Sequence, residues 1–169
     1  ELLSVDVQVA TYDPLRASTY LRLPTKLKDS KFILNIKNTK DERCAQWCIL
    51  AHLFPKYDDN RVNARGERNH RSTDPDAYKE HVNDIQIEGI EWPLKLSEVS
   101  KVEEMNDLNI NIYSYNNTSI KLIPILISER ENVTADRTID LLYVTNDTHS
   151  HYCPITYISK LFISQVIIH

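Results

Sequence analysis

The stretch that decides the fold is Cys44-Ala-Gln-Trp-Cys-Ile-Leu-Ala-His-Leu-Phe-Pro55, which follows a polar turn over residues 38–43. Its apolar residues recur at steps of three and four, the spacing of the buried face of an α-helix. Pro55 ends the pattern because proline lacks the backbone N–H that continues a helix. The stretch therefore predicts a helix from Cys44 to Phe54 that begins at a cysteine and places one face in the core.

The segments on either side of this helix predict shorter elements. Phe32–Ile36 is typical of a short strand, Asp74-Pro75 begins a short helix, and Ser97 caps a helix over residues 98–105. Further strands are predicted over residues 109–113, 120–127, 138–145 and 151–155, with a strand or helix over 161–168. Helices followed by strands indicate an α+β fold, in which N-terminal helices pack on a C-terminal antiparallel sheet. The length fits one domain, residues 1–169.

Composition and charge exclude several classes of function. The net charge is −4, and the densest basic stretch, Arg61–Arg71, is interrupted by Glu67 and Asn69, so it indicates a solvated loop and not a nucleic-acid surface. The two glycines cannot form a phosphate-binding loop. The chain contains no apolar run of about 20 residues and opens without a signal peptide, so we expect no membrane span and an intracellular location, cytoplasm or nucleus.

The cysteines indicate neither a disulfide framework nor a metal site. Cys44, Cys48 and Cys153 are odd in number, and they contain no CxxC pair. Cys44 and Cys48 with His52 lack a second cluster of ligands, and His70 and His81 have no partners at metal-ligand spacing. We therefore expect no metal and no cofactor.

Cys44 is the candidate nucleophile because it stands at the start of the predicted helix. Unpaired N–H groups and the helix dipole favour a thiolate at that position. Cys48 lies one turn later within the apolar face, where a cysteine behaves as a small buried hydrophobe. The alternative interpretation is that both are core cysteines.

His151 is the candidate base because it begins a short strand directly after a polar turn. An imidazole at that place can take the proton of a thiol and return it to a leaving amine. His149 competes for the role, since residues two apart on a strand share a face. A surface histidine in a loop is the interpretation without function.

Two further side chains fit supporting roles. Asp147 precedes His151 by four residues and orients the imidazole if the turn folds back. Asn38 precedes Cys44 by six residues, and its amide can bind an oxyanion together with the Cys44 backbone N–H. Both are also ordinary turn residues, which need no function.

The segments Cys44–Pro55, Gly89–Pro93 and His151–Cys153, in that order, resemble a domain of Maverick/Polinton-type transposon proteins. Pro14–Pro24 and Ile158–Leu161 also look like that family, so the resemblance covers nearly the whole chain. Such domains look like papain-fold cysteine peptidases. The resemblance therefore implies a papain-like fold with Cys44 as nucleophile and His151 as base.

Related mobile-element enzymes, similar to the herpesviral large tegument protein, are deubiquitinases. By that analogy the chain is expected to be a thiol-dependent, monomeric deubiquitinase whose partner is ubiquitin or polyubiquitin and whose channel for the Gly-Gly tail is lined by Trp92 and Gly89. Those enzymes place an acid two residues before the histidine. Here His149 occupies that position, whereas Asp147 lies two residues before His149. A peptidase for the element's own polyprotein or for another ubiquitin-like modifier, and an inactive papain-fold binding module, remain alternatives.

Overall fold

A four-stranded mixed sheet lies at the centre of the computed structural model, which describes residues 20–58, 70–116, 121–146 and 149–166. The strands are β1 (Asn109–Asn116), β2 (Lys121–Leu126), β3 (Thr138–Thr145) and β4 (Ser150–Ile155), in the order β2-β1-β3-β4. The structure therefore confirms a mixture of helices and strands.

The prediction of an antiparallel sheet is wrong for one pair of strands. β1 pairs with β2 and β3 pairs with β4 in antiparallel fashion, but β1 and β3 are parallel, with Ile110 opposite Ile139. The reason is topological. The chain leaves β2 and crosses to the far side of β1 before β3 begins, so β3 has the same direction as β1.

The helices are α1 (Cys44–Leu53), α2 (Val99–Asn106) and α3 (Ile158–Val166). Short 3₁₀ helices span Pro75–Asp84, Leu96–Glu98 and Ala135–Arg137. The helix predicted from Cys44 is thus confirmed, and the segment from Asp74 is a 3₁₀ helix, capped by Asp74 on the N–H of Asp76 at 3.0 Å. Ser97 lies inside a 3₁₀ turn and caps no helix, and the apolar tail is a helix.

α1 is buried more completely than its sequence pattern predicts. Every residue from Cys44 to Ala51 is buried, because the sheet covers one side of the helix and the 3₁₀ segment Pro75–Asp84 packs against another. This burial includes the polar side chain of Gln46, which is 1% exposed. A helix covered on several sides is a core element and not a surface helix.

Each face of the sheet has its own apolar core. The larger core contains α1 together with Ile110, Leu141 and Tyr152, and the smaller one contains Leu142 and Cys153. Successive residues of a strand point to opposite faces, so Tyr152 points toward α1, whereas His151 shares the other face with Cys153. Two neighbouring residues of β4 therefore face the two sides of the sheet: Tyr152 faces the side of Cys44, and His151 faces the other side.

The segment Phe32–Ile36, which was predicted to be a short strand, runs beside the outer edge of β4 but forms only an isolated bridge and not a strand. The N–H of Leu34 donates to the carbonyl of Pro154 at 2.9 Å, and the N–H of Thr156 donates to the carbonyl of Phe32 at 2.8 Å. Ile33 and Ile155 form an isolated bridge. This pairing places Asn35 next to β4.

Some predictions fall beyond these ranges. Residues 61–69 of the basic stretch, most of the predicted turn over 116–118, and Asp147 lie outside the described residues. Among the helices that the structure describes, none is long and apolar enough to cross a membrane.

Candidate active site

Cys44 is the first residue of α1, and its sulfur lies against the outer edge of β4. The backbone N–H of Tyr152, the residue that follows His151, lies close enough to Cys44 to act on the pKa of its thiol. Cys44 is 2% exposed. This burial raises the pKa of the thiol to about 11, although the N–H groups of Tyr152 and Ala45 oppose the shift. The resting group is therefore a neutral thiol at pH 7.

Cys48 binds the backbone of the same residue, Tyr152, from the next turn of α1. Its Sγ donates to the carbonyl oxygen of Tyr152 at 3.2 Å, and its burial raises the pKa of the thiol. Residues 32–34 bind the outward-facing backbone groups of Pro154 and Thr156, and the two thiols interact with the outward-facing backbone groups of Tyr152. The start of α1 is thus fixed beside the residue that follows His151.

His151 is fully buried, and Asn35 holds one side of its ring. The Nε2 of His151 lies 3.0 Å from the Oδ1 of Asn35. Burial lowers the pKa of the imidazole to about 4, and the backbone of Ile36 partly opposes this shift. The other ring nitrogen, Nδ1, has no hydrogen-bond partner among the described residues. His151 is therefore neutral at pH 7.

The partners of Asn35 assign the tautomer of this neutral ring. The Nδ2 of Asn35 donates to the carbonyl oxygen of Leu21 at 2.9 Å. Because a carbonyl can only accept, the Oδ1 of Asn35 must face His151, and Nε2 must carry the proton that it donates. Nδ1 is then the unprotonated nitrogen, which is the form that a general base requires.

Cys44 lies at the outer edge of β4, whereas His151 lies on one face of the sheet. The sulfur contacts the peptide of Tyr152, whereas the imidazole projects from the face that carries Cys153. Since Nδ1 has no partner in the part of the chain that the structure describes, the resting site contains no thiol–imidazole hydrogen bond. Such bonds in free enzymes commonly tighten when substrate binds.

His149, the alternative base, lies in the turn before β4. Its N–H donates to the Oδ1 of Asn146 at 2.7 Å, and its carbonyl accepts from the N–H of Asn146 at 2.9 Å. The side chain is half-buried. The role of Asp147 in orienting either histidine stays a prediction, because Asp147 lies outside the described residues.

Asn38, the predicted oxyanion ligand, is buried in the turn before α1. Its Nδ2 donates to the carbonyl oxygen of Asp41 at 3.1 Å and to the Oδ1 of Asp41 at 2.7 Å. Both amide hydrogens are therefore engaged, and one of these bonds must break before Asn38 can bind a substrate oxygen. The Cys44 backbone N–H at the helix start is the second donor predicted for the oxyanion.

Trp92 lies beside the start of α1, and Gly89 lies in an exposed turn. The guanidinium of Arg43 stands 5.9 Å from the centre of the Trp92 ring. The hydroxyl of Tyr152 donates to the carbonyl of Leu94 at 3.2 Å, which ties this segment to β4. Gly89 has a φ of 70° and its carbonyl accepts from Lys101 on α2. Trp92 is therefore near the start of α1 and Gly89 is a turn residue bonded to α2, and the lining of a Gly-Gly channel by either residue stays a prediction.

No protein-family model, curated protein or solved structure matches this chain. The interpretation of the site therefore depends on its own geometry.

Sequence reasoning missed two residues of this site, Asn35 and Asp41. Asn35 is the one polar residue of the apolar segment 32–36. A polar side chain in such a segment indicates that it has a specific hydrogen-bond partner. Asp41 belongs to a polar turn before a helix, where an aspartate commonly binds backbone N–H groups. Neither signal identifies the partner.

Proposed function

We propose that this chain is a papain-like cysteine peptidase that removes ubiquitin from proteins. One observation carries the proposal. The sulfur of a helix-start cysteine lies beside the backbone of the residue that follows a buried histidine, and an asparagine holds that histidine in the tautomer of a base. Cysteine, histidine and asparagine are the groups that papain-like peptidases use.

The proposed reaction uses these groups in turn. Cys44 Sγ attacks the carbonyl carbon of the scissile bond, and its proton passes to Nδ1 of His151. The backbone N–H of Cys44 donates to the oxyanion that forms. The C–N bond then breaks as His151 gives the proton to the leaving amine, and water, deprotonated by His151, hydrolyses the thioester to a carboxylate and the free thiol. Asn35 keeps the ring oriented throughout.

Ubiquitin as the substrate is supported by the resemblance of the Cys44, Trp92 and His151 motifs to the transposon domain and, by analogy, to tegument-type deubiquitinases. The segment around Trp92, which is tied to both Arg43 and Tyr152, supplies a wall for a narrow tail. Other ubiquitin-like modifiers and the element's own polyprotein are the competing substrates.

The test is labelling by ubiquitin that carries a C-terminal electrophile, under reducing conditions. The wild-type protein is expected to form one covalent adduct at Cys44, and Cys44→Ala and His151→Ala are expected to form none. Cys48→Ala is the matched control on the same helix and is expected to keep labelling. A panel of other modifier probes and a purified precursor identifies a different substrate. A wild-type protein that never forms the ubiquitin adduct defeats the proposal.

One observation favours a second candidate, an inactive module that binds partners through the same fold. Cys44 is nearly inaccessible, and burial raises its pKa to about 11, which suits a core cysteine better than an exposed nucleophile. This candidate predicts no adduct with any electrophilic probe. It also predicts that Cys44→Ala leaves the binding of partners unchanged.

A further inference from the structure

The turn before α1 is organised by one carboxylate, that of Asp41. Its Oδ1 accepts hydrogen bonds from Asn38 Nδ2 at 2.7 Å and from the Arg43 N–H at 2.8 Å. The indole Nε1 of Trp47 lies 3.2 Å from both carboxylate oxygens. Asp41 therefore joins the turn to the first two turns of the helix.

These bonds enclose Cys44 from both sides along the chain. Arg43 precedes Cys44 directly, and Trp47 follows it within one helical turn. Arg43 is the N-cap residue of α1, but its side chain makes no capping hydrogen bond. Asp41 supplies the missing acceptor at the helix start, the position where unpaired N–H groups most need one.

We propose that Asp41 is a positioning residue of the proposed reaction, whose carboxylate holds the turn over 38–43 in the shape that presents Cys44 to His151. This inference depends on the proposed function for its catalytic meaning. The structural part of the inference, that Asp41 controls the position and reactivity of Cys44, does not depend on the proposed function. The carboxylate also places a negative charge near the sulfur, which opposes the thiolate.

The two effects of Asp41 predict different results for Asp41→Asn and Asp41→Ala. Asparagine removes the charge and keeps one oxygen that can accept from the Arg43 N–H, whereas alanine removes both. Both variants are expected to move the pH profile of Cys44 alkylation to lower pH. On a fluorogenic ubiquitin conjugate, Asp41→Ala is expected to lower kcat by about 10- to 100-fold with little change in KM, and Asp41→Asn by less.

The experiment measures alkylation of Cys44 by iodoacetamide against pH, with each cysteine resolved by mass spectrometry, and hydrolysis of the conjugate in parallel. Glu42→Gln is the matched control, since Glu42 is the neighbouring carboxylate and is half-buried like Asp41. If Asp41→Ala does not fold, Asp41→Asn carries the test.

Alkylation profiles of both Asp41 variants that coincide with those of wild type and Glu42→Gln overturn the inference. Shifted alkylation together with an unchanged kcat overturns the positioning role. If wild type does not hydrolyse the conjugate, the proposed function fails, and the alkylation profiles still decide whether Asp41 controls Cys44.

Discussion

At the scale of single residues, the site combines two groups whose pKa values are shifted in opposite directions by burial. Burial raises the pKa of the Cys44 thiol to about 11 and lowers the pKa of His151 to about 4. Both shifts favour the uncharged form, so the resting pair is thiol and imidazole and not thiolate and imidazolium. In the proposed reaction, proton transfer must then accompany the attack of Cys44 on substrate, so the orientation of Nδ1 decides the rate.

His151 makes the fold sensitive to acid. The unfolded chain protonates its histidine below the ordinary value of 6.5, whereas the folded pKa is about 4, so stability is lost as the pH falls from 6.5 toward 4. We expect His151→Gln to reduce the loss of unfolding free energy between pH 7 and pH 4.5 by about 2–3 kcal/mol. Denaturant unfolding at both pH values measures it. His70→Gln, at an exposed histidine, is the control, and an equal loss in wild type and His151→Gln would contradict the prediction.

Asn35 is expected to matter more for catalysis than for stability. Asn35→Ala removes the acceptor for Nε2 and the donor to Leu21, so the ring loses its fixed orientation and tautomer. We expect kcat to fall by about 10- to 1,000-fold, less than the loss of about 10⁴ seen when a triad member enforces the wrong tautomer. Asn111→Ala is the control, because Asn111 also bridges two groups, Asp140 and Ser128, near the other end of β3. Equal kcat losses in Asn35→Ala and Asn111→Ala would show that Asn35 has no specific role in the proposed reaction.

At the scale of elements, the sequence predicted what depends on local pattern. α1 follows from apolar spacing and Pro55, and the four strands of the sheet were each located to within a few residues. The direction of β3 relative to β1 was wrong, because strand pairing depends on where a crossing loop leads and not on alternation. Asn35 was missed for a similar reason, since the partner of its side chain lies on β4, distant in sequence.

α1 contains one residue that its own pattern does not explain. Gln46 is 1% exposed, and both polar atoms of its amide lack a hydrogen-bond partner among the described residues. A buried amide without partners costs about 1–3 kcal/mol. Gln46→Met keeps a similar shape without that cost, so we expect it to raise the free energy of unfolding by about 1–2 kcal/mol.

Denaturant unfolding measures this change, and Gln86→Met, at an exposed glutamine, is the control that should change stability by less than about 0.5 kcal/mol. A stabilised Gln46→Met that keeps probe labelling makes the amide dispensable. Destabilisation by Gln46→Met would instead show that the amide has a partner, such as an ordered water, in solution.

At the scale of the whole molecule, the sheet edge at β4 is where three parts of the chain meet. Residues 32–34 pair with its outer edge, α1 contributes two thiols, and the segment ending at Leu94 binds the Tyr152 hydroxyl. The site is thus formed by elements that are distant in sequence, and the packing of these elements buries both Cys44 and His151. The proposed reaction therefore requires substrate to expose the Cys44 sulfur, which is 2% exposed in the free protein.

The closed site predicts an unusual reactivity of Cys44 in the free protein. A thiol with a pKa of about 11 is ionised in about one molecule in 10⁴ at pH 7, compared with a few per cent for an ordinary cysteine. Alkylation of Cys44 by iodoacetamide is therefore expected to be slow at pH 7 and to rise about tenfold per pH unit to beyond pH 9. Protein unfolded in denaturant is the control, and its Cys44 should reach a plateau near pH 9. A folded protein whose Cys44 is alkylated at its maximal rate by pH 8 would show an open, activated thiol, and the requirement for opening by substrate would then be wrong.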